Sequence, residues 1–418
     1  MEKIVIEGGE RLFGEVEISG AKNAALPIMA ASILADSPCK IKNVPNLRDV
    51  KTFIKLLEIL GAKIHFENNT LTIDPTTINN FIAPYELVKT MRASILFLGP
   101  LLAKFGYAKV SFPGGCAIGP RPVNLHIEGI KKLGAEVEIK EGYIVAKGKK
   151  LKGCEFYFDI TTVTGTENLI MASVLAEGKT ILKNSAKEPE VVDMINFLKK
   201  MGAKIKGEGT EIIEIEGVNR LKGVEYSVIP DRIETGTFMV AAGITNGNIL
   251  IKNSNIDNLE AVVSKLRTAG VEIKRENSGI RVIGNDEIKA VDIVTMPYPG
   301  FPTDMQAQFM ALMCFSNGIS VIKETIFENR FMHALELMRM GADIKLEGPH
   351  AIVRGKEILY GANVMASDLR ASASLILAGL RAKGKTEVSR IYHLDRGYEK
   401  FDVKLQKLGA KILRIRER

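Results

Sequence analysis

The stretch LLEILGAKIHF, Leu56–Phe66, joins the end of an amphipathic helix, a glycine and the start of an alternating strand. Gly61 fits the position just after a helix C-terminus, where a positive φ closes the helix. The strand after it alternates apolar with polar residues, which predicts that one of its faces is wet. The same order occurs five more times, in IKKLGAEVEI (Ile130–Ile139), FLKKMGAKIKG (Phe197–Gly207), SKLRTAGVEIK (Ser264–Lys274), ELMRMGADIKL (Glu336–Leu346) and KLQKLGAKILRI (Lys404–Ile415).

The six glycines of this pattern are almost evenly spaced. The intervals between them are 73, 68, 68, 71 and 68 residues. Such spacing predicts a structural unit of about 70 residues that occurs six times. A chain of 418 residues exceeds what one hydrophobic core usually serves, so we expect two domains of three units each. The glycines are Gly61, Gly134, Gly202, Gly270, Gly341 and Gly409.

A second helix recurs in the same register and is apolar nearly all round. A helix without a polar face belongs inside, surrounded by sheets or other helices. The apolar stretches are too short to span a bilayer, which takes about 20 residues. The strand order does not follow from the sequence. The helices of this kind lie in Ala24–Ala35, Ala93–Ala103, Asn168–Ala176, Phe238–Ile244, Phe309–Phe315 and Ala373–Leu380.

Composition and charge narrow the possible functions. Hydrophobic residues make up 46% and charged residues 25%, as in ordinary globular proteins. The net charge is +8, but aromatics are only 6%, Trp is absent and no recognition motif occurs, which disfavours nucleic-acid binding. Met1–Glu10 lacks the apolar segment of a secretion signal, so we expect a soluble cytoplasmic protein with four free thiols. None of the five histidines pairs with a cysteine at zinc-ligand spacing.

The segment GLRAKGKT, Gly379–Thr386, matches the phosphate-loop pattern GxxxxGK[ST]. That pattern binds phosphate only where a strand precedes it and a helix follows. Here a helix precedes and a strand follows. The sequence therefore predicts a helix stop and gives no support for ATP hydrolysis.

Polar residues stand at the starts of the buried helices. A helix start carries free N–H groups and a partial positive charge, which suit phosphates and carboxylates. We expect Thr303 and Ser367 to be ordinary caps. Lys22, Arg92 and Arg370 oppose the helix dipole there, so each needs an anionic partner and is a candidate for ligand binding. Further polar residues at these positions are Asn23, Thr162, Thr164, Glu167, Asp231, Arg232, Glu234, Asp304 and Asp368.

The loop FPGGCAIGPRPVNL, Phe112–Leu125, departs from the repeat pattern. Its many glycines and prolines predict a long excursion from the fold. Cys116 stands at its tip, and the nearby Arg121 would lower the pKa of this thiol and favour a reactive thiolate. Cys314 lies in an apolar helix, and we expect it to be an inert core residue.

These motifs resemble those of the UDP-N-acetylglucosamine 1-carboxyvinyltransferases, the enolpyruvyl transferases that begin peptidoglycan synthesis. The resemblance runs from end to end of the chain. The motifs that carry it are SGAKNAALP (Ser19–Pro27), PGGCAIGPRPVNLH (Pro113–His126), TGTEN (Thr164–Asn168), EPEVVD (Glu188–Asp193), FPTDMQAQ (Phe301–Gln308), FENRFMH (Phe327–His333) and SDLRA (Ser367–Ala371).

The resemblance implies an α/β fold of two inside-out, barrel-like domains, each of three repeats, with the active site in the interdomain cleft. One domain would be discontinuous, with residues 1–21 and 230–418, and would carry both termini. The second domain, residues 22–229, would carry the Cys116 loop.

The resemblance also implies a set of site residues. Lys22, Arg121 and Arg396 would hold phosphoenolpyruvate, whose phosphate and carboxylate need several cations. Asp368 and Arg370 would support the site, as would Arg330. The contacts with the sugar nucleotide would be Asn23, Arg92, Arg121, Pro122, Val123, Asn124, Leu125, Thr162, Val163, Asp304 and Ile326.

The implied mechanism is addition followed by elimination. The sugar 3-hydroxyl attacks C2 of phosphoenolpyruvate while Cys116 delivers a proton to C3, and Asp304 takes the hydroxyl proton. The tetrahedral ketal then loses phosphate as C3 is deprotonated. The Cys116 loop would close over the site and exclude water. We expect no metal and no cofactor.

Two other functions compete with this interpretation. The first is 3-phosphoshikimate 1-carboxyvinyltransferase, which shares the six-unit fold and the phosphoenolpyruvate donor. The second is a non-catalytic protein that binds nucleotide sugars or nucleic acid. The Cys116 loop argues against the first, and the joint presence of Lys22, Cys116, Asp304 and Arg396 argues against the second.

Overall fold

The computed structural model describes residues 2–88, 91–112 and 123–416, and these divide into two compact units. Unit 1 comprises residues 2–19 and 230–416, and unit 2 comprises residues 20–112 and 123–229 within the described ranges. Each unit has a separate hydrophobic core.

The described residues contain twenty-four short strands. They are β1 (Glu2–Glu7), β2 (Phe13–Glu17), β3 (Cys39–Lys42), β4 (Lys63–Glu67), β5 (Thr70–Asp74), β6 (Ile82–Ala83), β7 (Tyr107–Ser111), β8 (Glu136–Lys140), β9 (Tyr143–Lys147), β10 (Glu155–Tyr157), β11 (Lys179–Lys183), β12 (Lys204–Lys206), β13 (Ile212–Glu216), β14 (Glu225–Ser227), β15 (Asn248–Lys252), β16 (Glu272–Glu276), β17 (Gly279–Ile283), β18 (Ile293–Val294), β19 (Ile319–Lys323), β20 (Asp343–Glu347), β21 (His350–Arg354), β22 (Asn363–Met365), β23 (Lys385–Ser389) and β24 (Lys411–Arg416).

Thirteen α-helices connect them within the described ranges. They are α1 (Lys22–Ala31), α2 (Arg48–Ile59), α3 (Tyr85–Val88), α4 (Leu98–Phe105), α5 (Asn124–Lys132), α6 (Val163–Ser173), α7 (Pro189–Met201), α8 (Arg232–Ile244), α9 (Glu260–Thr268), α10 (Gln306–Met313), α11 (Met332–Arg339), α12 (Leu369–Arg381) and α13 (Phe401–Lys407). Short 3₁₀ segments are Ser32–Leu34, Pro75–Thr77, Arg92–Phe97, Ile256–Leu259, Thr303–Met305 and Ile391–Arg396.

The strands form six four-stranded sheets, three in each unit. In unit 1 the orders are β22-β23-β1-β24, β16-β17-β15-β2 and β18-β19-β21-β20, and in unit 2 they are β10-β11-β13-β12, β14-β3-β5-β4 and β6-β7-β9-β8. Each sheet has one parallel pair at one edge and two antiparallel pairs. This shared pattern confirms six units, three in each half.

The last strand before each crossing between the units pairs with a strand of its own unit that is distant in sequence. β2 precedes α1 in sequence but pairs with β15, whereas β14 precedes α8 but pairs with β3. The N-terminal strand β1 lies between β23 and the C-terminal β24. Within the described residues, each sheet is an open ribbon, and the strands of a unit do not join into one closed barrel.

The apolar helices are buried, as predicted. In unit 1, α8, α10 and α12 pack against one another, and each also packs on a sheet. In unit 2, α4 packs against α6 and the segment Ser32–Leu34. Because these helices have no polar face, the sheets on the outside supply the solvated surface of each unit.

The six repeat glycines have φ between 93° and 111°. Each lies just after the last residues of a helix, which confirms the predicted helix-closing role. The rejection of the phosphate loop is also confirmed, because α12 precedes Gly384 and β23 follows it. Of the helices described, none combines the length and the apolarity that a membrane span requires.

Candidate active site

Charged side chains gather at the starts of the buried helices in unit 1. Asp304 lies in the 3₁₀ turn that leads into α10, and Arg370 is the second residue of α12. Arg370 donates from Nε and Nη2 to Oδ2 of Asp304, at 3.1 and 2.8 Å. Arg330 donates from Nη2 to Oδ1 of the same carboxylate, at 2.7 Å. Both guanidiniums are almost fully buried, whereas 26% of the Asp304 side chain is exposed.

The two guanidiniums determine the ionisation of Asp304. Burial would raise the pKa of this carboxyl, but the positive charges of Arg370 and Arg330 and their hydrogen bonds outweigh it. They hold the pKa of Asp304 well below its usual range. Burial would also lower the pKa of Arg370, yet the Asp304 carboxylate overrides that effect and raises it. Asp304 and Arg370 are therefore both ionised at neutral pH.

The prediction that Thr303 is a helix cap is wrong. Its hydroxyl donates to Oε2 of Glu324 at 2.9 Å and accepts a hydrogen bond from Nη1 of Arg330 at 2.9 Å. The Thr303 hydroxyl therefore bonds to side chains of other elements and not to the N–H groups of the following helix. It joins Arg330 to a second carboxylate.

The prediction that Ser367 caps α12 is also wrong, because Asp368 does so. Oδ1 of Asp368 accepts the backbone N–H groups of Arg370 and Ala371, at 2.8 and 3.0 Å. A side-chain oxygen at the N-cap reaches the second and third helical N–H groups, and position 368 has that spacing. Asp231 caps α8 in the same way.

The other two predicted site residues of unit 1, Ile326 and Arg396, lie outside the α-helices and strands. Ile326 follows β19 in a loop, with 36% of the residue exposed, and its N–H donates to Oε1 of Glu324 at 2.8 Å. Arg396 ends the 3₁₀ segment Ile391–Arg396 and is partly exposed.

In unit 2, Lys22 is the first residue of α1 and is buried. Its Nζ lies 3.2 Å from Oδ2 of Asp49, which belongs to the first turn of α2. A cation at a helix start requires an anionic partner. For Lys22 that partner is the Asp49 carboxylate, and for Arg370 it is the Asp304 carboxylate. Asn23 is exposed beside Lys22, and Arg92 opens a 3₁₀ segment instead of an α-helix.

Thr162 caps α6, because its hydroxyl accepts the N–H of Gly165 at 3.3 Å. Val163 is the first residue of that helix. Asn124 is the first residue of α5 and is exposed, whereas Leu125 and the preceding Val123 are buried. The two predicted contact segments of this unit thus stand at the starts of α5 and α6.

A buried histidine joins these two helix starts. Nδ1 of His126 lies 3.0 Å from Nδ2 of Asn168, and Nε2 lies 3.4 Å from the hydroxyl of Thr164. The Asn168 amide orientation is fixed, because its Nδ2 also donates to Ile95 and its Oδ1 accepts from Gly99. His126 Nδ1 must therefore accept, so the proton of the neutral ring lies on Nε2.

The environment of His126 favours this neutral form. Burial lowers its pKa to about 4, and the positive charge of Arg92 acts in the same direction. His126 was not predicted as a site residue, although it ends the motif that contains the Cys116 loop. Asp49 and Glu324 were not predicted either, because the local sequence does not distinguish them from other polar residues.

Three predicted site residues, Cys116, Arg121 and Pro122, lie outside the described residues. The other three cysteines are free thiols, and burial raises the pKa of Cys314 to about 12. This agrees with the prediction that Cys314 is inert.

Comparison with known proteins gives matches over the whole chain. Residues 6–405 match the sequence profile of the EPSP synthase (3-phosphoshikimate 1-carboxyvinyltransferase) family. A UDP-N-acetylglucosamine 1-carboxyvinyltransferase of Thermodesulfovibrio yellowstonii is 60% identical over 417 residues, and one of Geotalea uraniireducens is 59% identical. Both alignments cover 100% of each chain.

Solved structures show the same architecture. The enolpyruvyl transferase NikO of Streptomyces tendae superimposes with a TM-score of 0.90 at 25% identity, over 99% of this chain and 98% of that one. EPSP synthase of Acinetobacter baumannii gives a TM-score of 0.78 at 18% identity, with 100% of both chains covered, and so shows the fold alone. By its sequence, therefore, the chain belongs to the EPSP synthase family of enolpyruvyl transferases, and within that family to the UDP-N-acetylglucosamine 1-carboxyvinyltransferases.

Proposed function

We propose that this chain transfers the enolpyruvyl group of phosphoenolpyruvate to the 3-hydroxyl of UDP-N-acetylglucosamine, with release of phosphate. The observation that carries the proposal is the identity of 60% over the full length with a protein named for this reaction. The reaction is the first committed step of peptidoglycan synthesis. Its substrates are small cytoplasmic metabolites, so we propose a cytoplasmic location and no role in nucleic-acid binding.

The geometry at Asp304 supports its role as acceptor of the hydroxyl proton. A carboxylate offers about four positions for hydrogen bonds. Arg370 fills two on Oδ2 and Arg330 fills one on Oδ1, which leaves a position on Oδ1 among the described residues. We assign that position to the sugar 3-hydroxyl.

The remaining roles are assigned by family resemblance. Lys22, Arg121 and Arg396 hold the phosphate and carboxylate of phosphoenolpyruvate, where several cations stabilise the charge that develops during addition. Asp368 and Arg370 support the site by fixing the start of α12. The sugar nucleotide contacts Asn23, Arg92, Arg121, Pro122, Val123, Asn124, Leu125, Thr162, Val163 and Ile326.

In the proposed sequence of steps, the sugar oxygen forms a bond to C2 while Asp304 accepts its proton and Cys116 gives a proton to C3. The double bond of phosphoenolpyruvate is thereby consumed, and a tetrahedral ketal results. In the elimination, C3 loses a proton, the double bond forms again and the C2–O bond to phosphate breaks. A thiol suits the proton-donor role when its pKa lies near the working pH.

The test is phosphate release from phosphoenolpyruvate with UDP-N-acetylglucosamine as acceptor. We expect release that needs both substrates and that collapses in Cys116→Ala, whereas Cys154→Ala, which removes a thiol elsewhere in unit 2, leaves it intact. Release that survives Cys116→Ala would move the proton donor elsewhere. Release only with shikimate 3-phosphate would establish the competing enzyme instead.

A further inference from the structure

Glu324 is a buried carboxylate directly after β19, with 4% of the residue exposed. Its Oε1 accepts from the hydroxyl of Thr295 at 2.8 Å and from the N–H groups of Ile326 and Phe327 at 2.8 and 3.2 Å. Its Oε2 accepts from the hydroxyl of Thr303 at 2.9 Å. Burial of a charge is costly unless donors surround it, and four donors do so here.

Three of these donors belong to two segments of the proposed acceptor site, and the fourth, the Thr295 hydroxyl, directly follows β18. One is the loop at Ile326 and Phe327, whose N–H groups both donate to Oε1 of Glu324. The other is the turn at Thr303, next to Asp304. Arg330 holds the Thr303 turn in place, because it donates to the Thr303 hydroxyl at 2.9 Å and to the Asp304 carboxylate at 2.7 Å.

The charges explain why an acid occupies this position. Arg330 and Arg370 bring two positive charges into contact with Asp304, which supplies only one negative charge. Glu324 supplies a second negative charge, which reaches Arg330 through the Thr303 hydroxyl. An amide at position 324 could keep one acceptor oxygen but would turn a donor toward the Thr303 hydroxyl and would remove this charge.

We infer that Glu324 is a positioning residue that fixes the spacing between the Ile326 loop and the Asp304 turn, and thereby the fit of the nucleotide-sugar acceptor. This inference rests on the proposed function. The competing explanation is that Glu324 only closes the turn after β19. In that case its loss would lower stability without a selective effect on one substrate.

The experiment compares kinetics and stability in the full-length protein. Glu324→Gln and Thr303→Val each break the hydrogen bond between the Thr303 hydroxyl and the Glu324 carboxylate, whereas Thr303→Ser keeps the hydroxyl. Thr245→Val is the matched control, because it removes a buried hydroxyl that bonds within α8, at the opposite end of that helix from Asp231. For each variant we would measure kcat, the KM of both substrates and the unfolding midpoint in urea.

We expect Glu324→Gln and Thr303→Val to raise the KM for UDP-N-acetylglucosamine about tenfold, with the KM for phosphoenolpyruvate within about twofold of the parent. Thr303→Ser should stay close to the parent. Should Thr303→Val lose stability as Thr245→Val does but keep its acceptor KM, Glu324 is purely structural and the inference fails. A parent protein that does not use this acceptor at all would overturn the proposed function first, before any variant is compared.

Discussion

Asp304 accepts three hydrogen bonds from two guanidiniums, and these bonds limit the kind of base it can be. A carboxylate whose pKa is held well below its usual range is a weak base toward a free hydroxyl. The hydroxyl becomes acidic only as its oxygen bonds to carbon. In the proposed mechanism, proton transfer to Asp304 is therefore expected late in the addition, and until then the carboxylate would accept a hydrogen bond that orients the attacking oxygen.

The substitution Arg370→Lys tests this dependence on geometry. Lysine keeps the positive charge but cannot place two donors on Oδ2 of Asp304. We expect a loss of about 1–3 kcal/mol in the free energy of unfolding and a fall of about tenfold or more in kcat. The measurements are urea unfolding and steady-state phosphate release.

The control for that variant is Arg354→Lys. The Nε of Arg354 lies 3.8 Å from Asp343 in an exposed ion pair, so its replacement should change stability by less than about 0.5 kcal/mol. An Arg370→Lys protein with the stability and turnover of the parent would show that the guanidinium does not position Asp304.

At the scale of the element, the repeat glycines offer a matched pair within unit 2. A Cβ at Gly134 would meet nothing within 4 Å, so only its φ of 93° opposes a side chain. A Cβ at Gly61, with φ of 100°, would also lie 2.8 Å from Oδ1 of Asn79 and 2.9 Å from the carbonyl of Thr77. We expect Gly134→Ala to cost about 1–2 kcal/mol of unfolding free energy from strain alone.

Gly61→Ala should cost clearly more in the same urea titration, because the backbone of Thr77 must move. Both variants should retain the KM values of the parent, since neither glycine lies at a helix start. Equal losses in the two proteins would mean that the loop at Thr77 yields freely, and would refute the role assigned to close packing there.

The elements show what local sequence can and cannot predict. Glycine spacing and helix periodicity are local properties, and they predicted six units, the helix-closing glycines and the buried helices. Strand order depends on pairing between distant segments, and the pairing of β2 with β15 and of β14 with β3 leaves no local signal. The same limit applies to the site. Asp304 was predicted, but its bond to Arg330 and the bond of Thr303 to Glu324 join residues 26 and 21 positions apart.

At the scale of the whole molecule, buried groups with pKa shifts of opposite effect contribute to the response of stability to acid. Burial lowers the pKa of His126 in unit 2 and of His333 in unit 1 to about 4 in each case. Burial also raises the pKa of Asp193 in unit 2 to about 6, against hydrogen bonds from Tyr226 and the N–H of Ile229. Below its ordinary pKa of about 6.5, histidine binds its proton more readily in the unfolded chain, so the folded state loses stability as the pH falls toward 4.

Asp193 acts in the opposite direction. The pKa of Asp193 in the folded protein lies above the ordinary value of 3.8. Its contribution to the free energy of unfolding is therefore fully present below pH 3.8 and is lost as the pH rises through about 6. Each of His126 and Asp193 shifts stability by about 3 kcal/mol across its window, with opposite sign. In the parent protein these two contributions oppose each other and add to those of other groups with shifted pKa values, among them His333 and Asp304. Single variants separate them.

His126→Gln removes the histidine term and keeps a donor for Thr164, whereas Asp193→Asn removes the carboxyl term and keeps an acceptor oxygen for Tyr226. Unfolding free energies from urea titrations at pH 4 and pH 6.5 would be compared with those of the parent. Between these pH values, stability should rise less steeply than in the parent for His126→Gln and more steeply for Asp193→Asn. Both variants are expected to lose stability at pH 6.5, so the decisive quantity is the change in slope. Parallel curves for all three proteins would mean that His126 and Asp193 bind their protons as readily in the folded protein as in the unfolded chain, and would contradict the pKa shifts given above.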